Sequence, residues 1–206
     1  MITSRQGWVE LPYVACPAGL RSIAAAVHLH TSKLGRKIYF VPGISTRGRD
    51  GAPDVIRGEE TQVFGATEGG SEHFVTPGTH SKWAWTGVGG AVERFQTYMT
   101  GELHAVLVQH SILGRLMQPG AARPAAFADG ARLGLAEHAH LTHLIFAART
   151  AGLMATRGAD ELPDFLSGLL IGAEVGSARQ RGAPAAVTLL GEAALCDRYA
   201  VALQLA

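Results

Sequence analysis

Thr76-Pro77-Gly78-Thr79-His80-Ser81-Lys82-Trp83 decides how the rest of this chain is read. β-forming residues stand on both sides, His73-Phe-Val-Thr before and Lys82-Trp-Ala-Trp-Thr after, so the stretch reads as strand, tight joint, strand. Glycine in the joint lets the main chain come close to a ligand. Thr79, Ser81 and Lys82 add two hydroxyls and an ammonium that can be aimed at one point. Donors fixed before a ligand arrives are the equipment for holding a polyphosphate. The same residues also describe an ordinary hairpin whose hydroxyls satisfy its own turn. A Walker loop is excluded, because its Gly-x4-Gly-Lys-[Ser/Thr] spacing does not occur.

Working outward, a third strand follows at Ala91-Val-Glu-Arg-Phe-Gln-Thr-Tyr, joined through Gly87-Val-Gly-Gly90. Trp83 and Trp85 fall on one face of their strand, as core or domain-interface residues do. Upstream, Arg57-Gly-Glu-Glu-Thr-Gln-Val-Phe opens a helix with Glu59 and Glu60 in its first turn. Adjacent carboxylates cannot share one helix face, so one of them can face a cleft and accept a proton from an attacking hydroxyl. The alternative is a pair placed only to complement the helix dipole. Downstream, Leu189-Leu-Gly191-Glu-Ala-Ala is a strand–glycine–helix joint of the kind that passes close to a flat ligand.

The flanks are plainer. Leu20, Ile23, Ala24 and Val27 predict a short amphipathic helix within Ala18–Leu29, and Lys37-Ile-Tyr-Phe a strand. Leu103–Ser111, Leu162–Val175 and Asp197–Leu205 read as helices, the second apolar nearly all round and therefore buried. His138, His140 and His143 cluster without the His-Glu-x-x-His spacing, so a polar helix face is expected there and no metal.

Of 206 residues, 47% are hydrophobic and 17% charged, enough apolar material for a real core and too few charges for a disordered tail. Lys+Arg 18 against Asp+Glu 17 leaves +1, which supplies no basic field for nucleic acid. Two cysteines, Cys16 and Cys196, make no disulfide framework and fit a reducing compartment. Met1-Ile-Thr-Ser-Arg-Gln-Gly-Trp lacks the apolar core of a signal peptide, and no apolar run approaches the roughly 20 residues of a membrane helix. A cytoplasmic location with no membrane partner is expected.

Four blocks, taken in order, match a known family. Arg57-Gly-Glu-Glu-Thr-Gln, Pro77-Gly-Thr-His-Ser-Lys-Trp, Met99-Thr-Gly-Glu-Leu and Phe165-Leu-Ser-Gly-Leu-Leu-Ile-Gly-Ala-Glu resemble the blocks of the 2-keto-3-deoxygalactonokinases, and the likeness spans the whole chain. The resemblance implies an α/β fold of the actin/hexokinase-like (ribonuclease H-like) class: two domains closing on ATP and a sugar acid in the cleft between them. Residues 1–66 would be the remainder of an N-terminal sugar-binding domain and 67–206 a C-terminal ATP-binding domain. Gly78, Thr79, His80, Ser81 and Lys82 then resemble the second phosphate-binding hairpin, and Gly191 the adenosine-side joint. Glu59 or Glu60 would serve the sugar hydroxyl. Thr3 and Ser4 would line the sugar-acid side, with Arg5 pairing the substrate carboxylate through its bidentate guanidinium. The implied activity is phosphorylation of a keto-deoxy sugar acid on its terminal hydroxyl with ATP and Mg²⁺.

Two departures qualify the match. Proteins of this class open on a hairpin of the type Asp-x-Gly-[Ser/Thr]-[Thr/Ser], whose aspartate helps to hold Mg²⁺, and no such sequence is present. The chain also stops just after the adenosine-side helix. A fragment of the family's protein is expected on both counts, with an unpaired sheet edge open to association with another copy. The rival reading is a catalytically inactive relative that binds sugar acid or nucleotide, or a kinase for another sugar.

Overall fold

The computed structural model describes the backbone of residues 2–3, 9–70 and 72–206, and the side chains of residues 11–70 and 72–206. Chain order gives β1 (Ile2–Thr3), β2 (Val9–Glu10), β3 (Val14–Ala15), α1 (Leu20–Ala25), β4 (His28–Thr31), β5 (Lys37–Phe40), β6 (Ile44–Arg47), β7 (Pro53–Ile56) and α2 (Glu59–Ala66). Then come β8 (His73–Thr76), β9 (Ser81–Thr86), β10 (Val92–Tyr98), α3 (Thr100–His110), α4 (Pro124–Ala136), α5 (Leu141–Leu144), α6 (Phe146–Leu153), α7 (Leu162–Gln180), β11 (Thr188–Leu189) and α8 (Ala193–Leu205). The architecture is mixed α/β. Compactness divides the chain into residues 1–75 with 82–97, and residues 76–81 with 98–206. Most of β8, β9 and β10 belongs with the first unit.

In the first unit β3 runs parallel to β6, and β6 antiparallel to β7 with Ile44 opposite Ile56. β8, β9 and β10 lie side by side in the order β10-β9-β8. All six residues of β9 are buried, including Trp83 and Trp85, which meets the expectation of core tryptophans. Two ties hold β10 in place. Ala18 and Val92 exchange both backbone hydrogen bonds, at 2.9 and 2.8 Å. Asp54 on β7 accepts from Thr97 N and Thr97 Oγ1, both at 2.8 Å. The expected helix to Leu29 ends at Ala25 instead, because His28–Thr31 pairs with Lys37–Phe40 as a hairpin. Gly35 in its turn takes φ +75, a left-handed conformation suited to glycine.

The second unit is helical and built around α7, nineteen residues long and mostly buried as its all-round apolarity predicted. α4 packs on it backbone to backbone. A Cβ placed on Gly130 or Gly134 would lie 2.1 Å from the carbonyl oxygen of Phe165 or Leu169. On α7 the same construction puts Gly168 2.0 Å from Phe127 O and Gly172 2.3 Å from Ala131 O. Hydrogen is the only side chain these four positions admit. Leu107, Leu144, Phe165, Leu166 and Leu169 form the apolar cluster alongside. α3 begins at Thr100, three residues before the expected start, and α8 at Ala193, where Glu192 caps it by accepting from Ala194 N and Leu195 N at 3.1 Å each. No helix among the described residues is long and apolar enough to cross a membrane.

Candidate functional site

The joint between β8 and β9 is held from below by the start of α3. Glu102 N donates to Thr79 O at 2.9 Å, and a Cβ on Gly101 would lie 2.4 Å from Gly78 O and 2.9 Å from Thr79 Cα. Glycine at 101 therefore lets the helix press directly on the hairpin backbone. His80 Nε2 hydrogen-bonds Glu102 Oε2 at the surface. That contact is exposed and contributes little on its own. Gly101→Ala is expected to lift the hairpin off α3. If the hairpin carries nucleotide, KM for ATP should rise about tenfold while kcat changes less, an effect of misplacing donors by a fraction of an ångström. Steady-state kinetics over an ATP series reads this directly.

Thr79 and His80 are exposed and Gly78 is half-buried, while Ser81 and Lys82 are buried. The expectation that all five residues face one ligand needs this distinction. Successive β9 side chains point to opposite sides. Ser81 Oγ donates to Tyr98 O at 3.4 Å and also hydrogen-bonds Tyr199. Lys82 Nζ is 2.7 Å from Glu59 Oε1. Both side chains are engaged by protein groups, which leaves Gly78, Thr79 and His80 as the accessible part of the hairpin. Gly191 belongs to the same place: a Cβ there would come 3.3 Å from Pro77 O. The strand–glycine joint at Gly191 and the β8–β9 joint at Gly78, 113 positions apart in sequence, are neighbours within the second unit.

Beneath the hairpin lies a cavity of about 80 Å³ lined by Gly78, Thr100, Gly101, His104, Leu195 and Tyr199. Tyr199 is fully buried and donates to Glu174 Oε2 at 2.7 Å, with Ser81 and Thr100 also bonded to its hydroxyl. Burial first, then the Glu174 carboxylate, push the Tyr199 phenol far above its ordinary range, so it stays a neutral donor. His104 is driven the other way: burial lowers its pKa, against the Pro163 carbonyl 3.3 Å from Nε2. A neutral imidazole and a neutral phenol form the floor. Thr100-Gly101-Glu102 and Ala173-Glu174 belong to two of the sequence blocks whose local pattern announces no task. Their task is to support the hairpin.

The acidic helix start sits in the first unit. Gly58 takes φ +115, and Glu60, only 2% exposed, folds back to accept from Gly58 N at 2.6 Å and Thr61 Oγ1 at 3.2 Å. Its Oε2 thereby satisfies a backbone N–H at the helix N-terminus. Glu59 is different. Its side chain is 27% exposed, and among the described residues its one ion pair is with Lys82. The two glutamates that spacing left equivalent are separated by burial and bonding. Ser4 and Arg5 lie outside the described residues, and Thr3 is placed only by its backbone, in β1 opposite Val9.

Among the described residues no three His, Cys, Asp or Glu side chains converge to hold a metal ion. His138 is occupied otherwise, its ring bonded to Leu135 O at 3.0 Å and Gln180 Oε1 at 3.2 Å.

Known proteins match this chain over nearly its full length. The model of the 2-keto-3-deoxy-galactonokinase family matches residues 1–206. A 2-dehydro-3-deoxygalactonokinase of Escherichia coli K12 is 38% identical over 99% of this chain and 68% of its own length. A Rhizobium meliloti protein designated with the same enzyme name has the same identity and the same coverage of both chains. A crystal structure from Sinorhizobium meliloti under that designation superposes with a TM-score of 0.87 at 37% identity, covering 98% of this chain and 69% of that one.

Proposed function

The chain belongs to the 2-keto-3-deoxy-galactonokinase family, and from that membership we propose that it is an ATP-dependent kinase for the terminal hydroxyl of 2-keto-3-deoxygalactonate, in an actin/hexokinase-like fold. The observation that carries the site assignment is the convergence in the second unit of the Gly78-Thr79-His80 hairpin, the α3 start and Gly191. Those are the groups that would hold the phosphates and the adenosine side of ATP. Residues 1–66 would contribute the sugar-acid contacts, with Thr3, Ser4 and Arg5 as candidates for the substrate's hydroxyls and carboxylate.

In the reaction the sugar hydroxyl oxygen forms a bond to the γ-phosphorus while the bond from that phosphorus to the β–γ bridging oxygen breaks. ADP departs with the electron pair, and the hydroxyl proton passes to Glu59. The chain's own part is to position: backbone N–H groups and the Thr79 hydroxyl on the phosphates, and one carboxylate at the hydroxyl. Glu59 suits that role better than Glu60, whose oxygens are buried and already accept two hydrogen bonds. Mg²⁺ would be carried on the triphosphate, where it would supply charge neutralisation, its ligands coming mostly from phosphate oxygens and water.

The test is ATP turnover with 2-keto-3-deoxygalactonate, read as ADP release together with the phosphorylated acid by mass spectrometry. Galactonate and 2-keto-3-deoxygluconate serve as comparison substrates. Preferred turnover of either comparison acid would overturn the substrate, and nucleotide binding without turnover of any acid would overturn the kinase reading.

A further inference from the structure

Lys82 is the charged residue whose position the hairpin chemistry leaves unexplained. It is the first residue of the first unit after the hairpin, at the second position of β9, and it is 6% exposed. Burying an ammonium in a strand is costly unless a counter-charge meets it. The counter-charge is Glu59 Oε1 at 2.7 Å. Glu59 itself is the first residue of α2 and retains 27% side-chain exposure. Water still reaches it, so burial does not confine its side chain to one rotamer. The chain has three torsions to fix and a single ion pair with which to fix them. Oε2 has no partner among the described residues, which leaves one carboxylate oxygen held and the other open.

The neighbouring charges do not share this role. Glu60 is turned back onto Gly58 N and Thr61 Oγ1. The Arg57 guanidinium lies 4.8 Å from the centroid of the Tyr13 ring and donates to Leu11 O at 3.3 Å. No other ion pair to Glu59 exists among the described residues.

We infer that Lys82 is a positioning residue for phosphoryl transfer: by fixing Glu59 Oε1 it sets the open Oε2 at the place where the substrate hydroxyl must give up its proton. The inference rests on the reading that Glu59 serves that hydroxyl. It assigns Lys82 to the sugar side of the reaction, where hairpin sequence alone would assign it to phosphate.

The experiment is a double-mutant cycle on the whole protein using Lys82→Met, Lys82→Arg, Glu59→Gln and the Lys82→Met/Glu59→Gln pair. Methionine keeps the length and accepts burial. Rates come from single-turnover assays with enzyme in excess, so that weak variants remain measurable, and melting curves accompany each. Lys82→Met should lower kcat about 30-fold with KM for ATP within about twofold, the loss expected when a reacting group is held less well. Lys82→Arg should recover most of that loss. In the Glu59→Gln background Lys82→Met should have no further effect, because the carboxylate it orients is gone.

Three results would overturn the inference. A raised KM for ATP with kcat kept would make Lys82 a phosphate ligand. An equal loss in both backgrounds, following the fall in melting temperature, would make it only a structural tie. A full rate in Lys82→Met would give it no part. If Glu59→Gln alone keeps full activity, the assignment of Glu59 under the proposed function fails instead, and the two failures are told apart.

Discussion

Gly168→Ala and Gly172→Ala are each expected to lower the melting temperature by about 5–15 °C and to cut the yield of folded protein. Alanine is the best helix former, and replacing a mid-helix glycine in open surroundings gains about 1 kcal/mol. Here the surroundings are closed. The added methyl would sit 2.0 Å from Phe127 O at position 168 and 2.3 Å from Ala131 O at position 172. Both obstacles are backbone atoms of α4, which cannot rotate away as a side chain would. The helices must separate by roughly an ångström, and the contacts between α4 and α7 loosen along the shared face. Overpacking of this kind costs about 1–3 kcal/mol, and more where nothing relaxes. The clash therefore outweighs the propensity gain.

Gly65→Ala supplies the internal control. Gly65 is in a helix too, α2, but a Cβ there meets nothing within 4 Å. Its melting temperature should hold or rise slightly. Thermal denaturation of the three variants separates the explanations. If Gly168→Ala and Gly172→Ala melt like Gly65→Ala, the close approach of α4 and α7 is wrong.

The sequence was most readable where one residue type has one use. Three strands around residues 73–98, the helix start at Glu59 and the buried helix at Leu162 all follow from alternation, glycine punctuation and unbroken apolarity, and the structure contains each of them. Pairing decided what periodicity could not: the apolar spacing runs on to Val27, yet the segment from His28 finds hydrogen-bond partners in Lys37–Phe40 and becomes a strand. Bonding across long sequence separations was invisible as well. Nothing local announces that Lys82 ends on Glu59, that Gly101 supports Gly78, or that Gly191 reaches Pro77. The α4–α7 contact did leave a trace, glycines four apart at 130 and 134 and again at 168 and 172, which put small residues on one face of each helix.

Glu59→Gln is expected to reduce kcat by a factor of about 10² to 10⁴, the range over which a positioned proton acceptor acts, measured well below the melting transition. The amide has nearly the same shape as the carboxylate and leaves Lys82 an oxygen to bond, but it removes the counter-charge of a buried ammonium, so the melting temperature falls as well. Glu60→Gln should spare the rate. It weakens a charge-assisted bond to Gly58 N, 2.6 Å long and buried, which costs about 1–2 kcal/mol and a few degrees of melting temperature. Its kcat, measured well below the transition, should stay within about fivefold of the parent. The two adjacent glutamates thus part on rate, while both variants lose stability. An equally large loss of kcat in Glu60→Gln with an unchanged melting curve would move the proton acceptor to position 60. A full rate in both variants would remove the carboxylates from the chemistry and leave catalysis to the positioning of ATP and hydroxyl alone. The separation rests on burial: of the two carboxylates, only Glu59 keeps an oxygen that a substrate can reach.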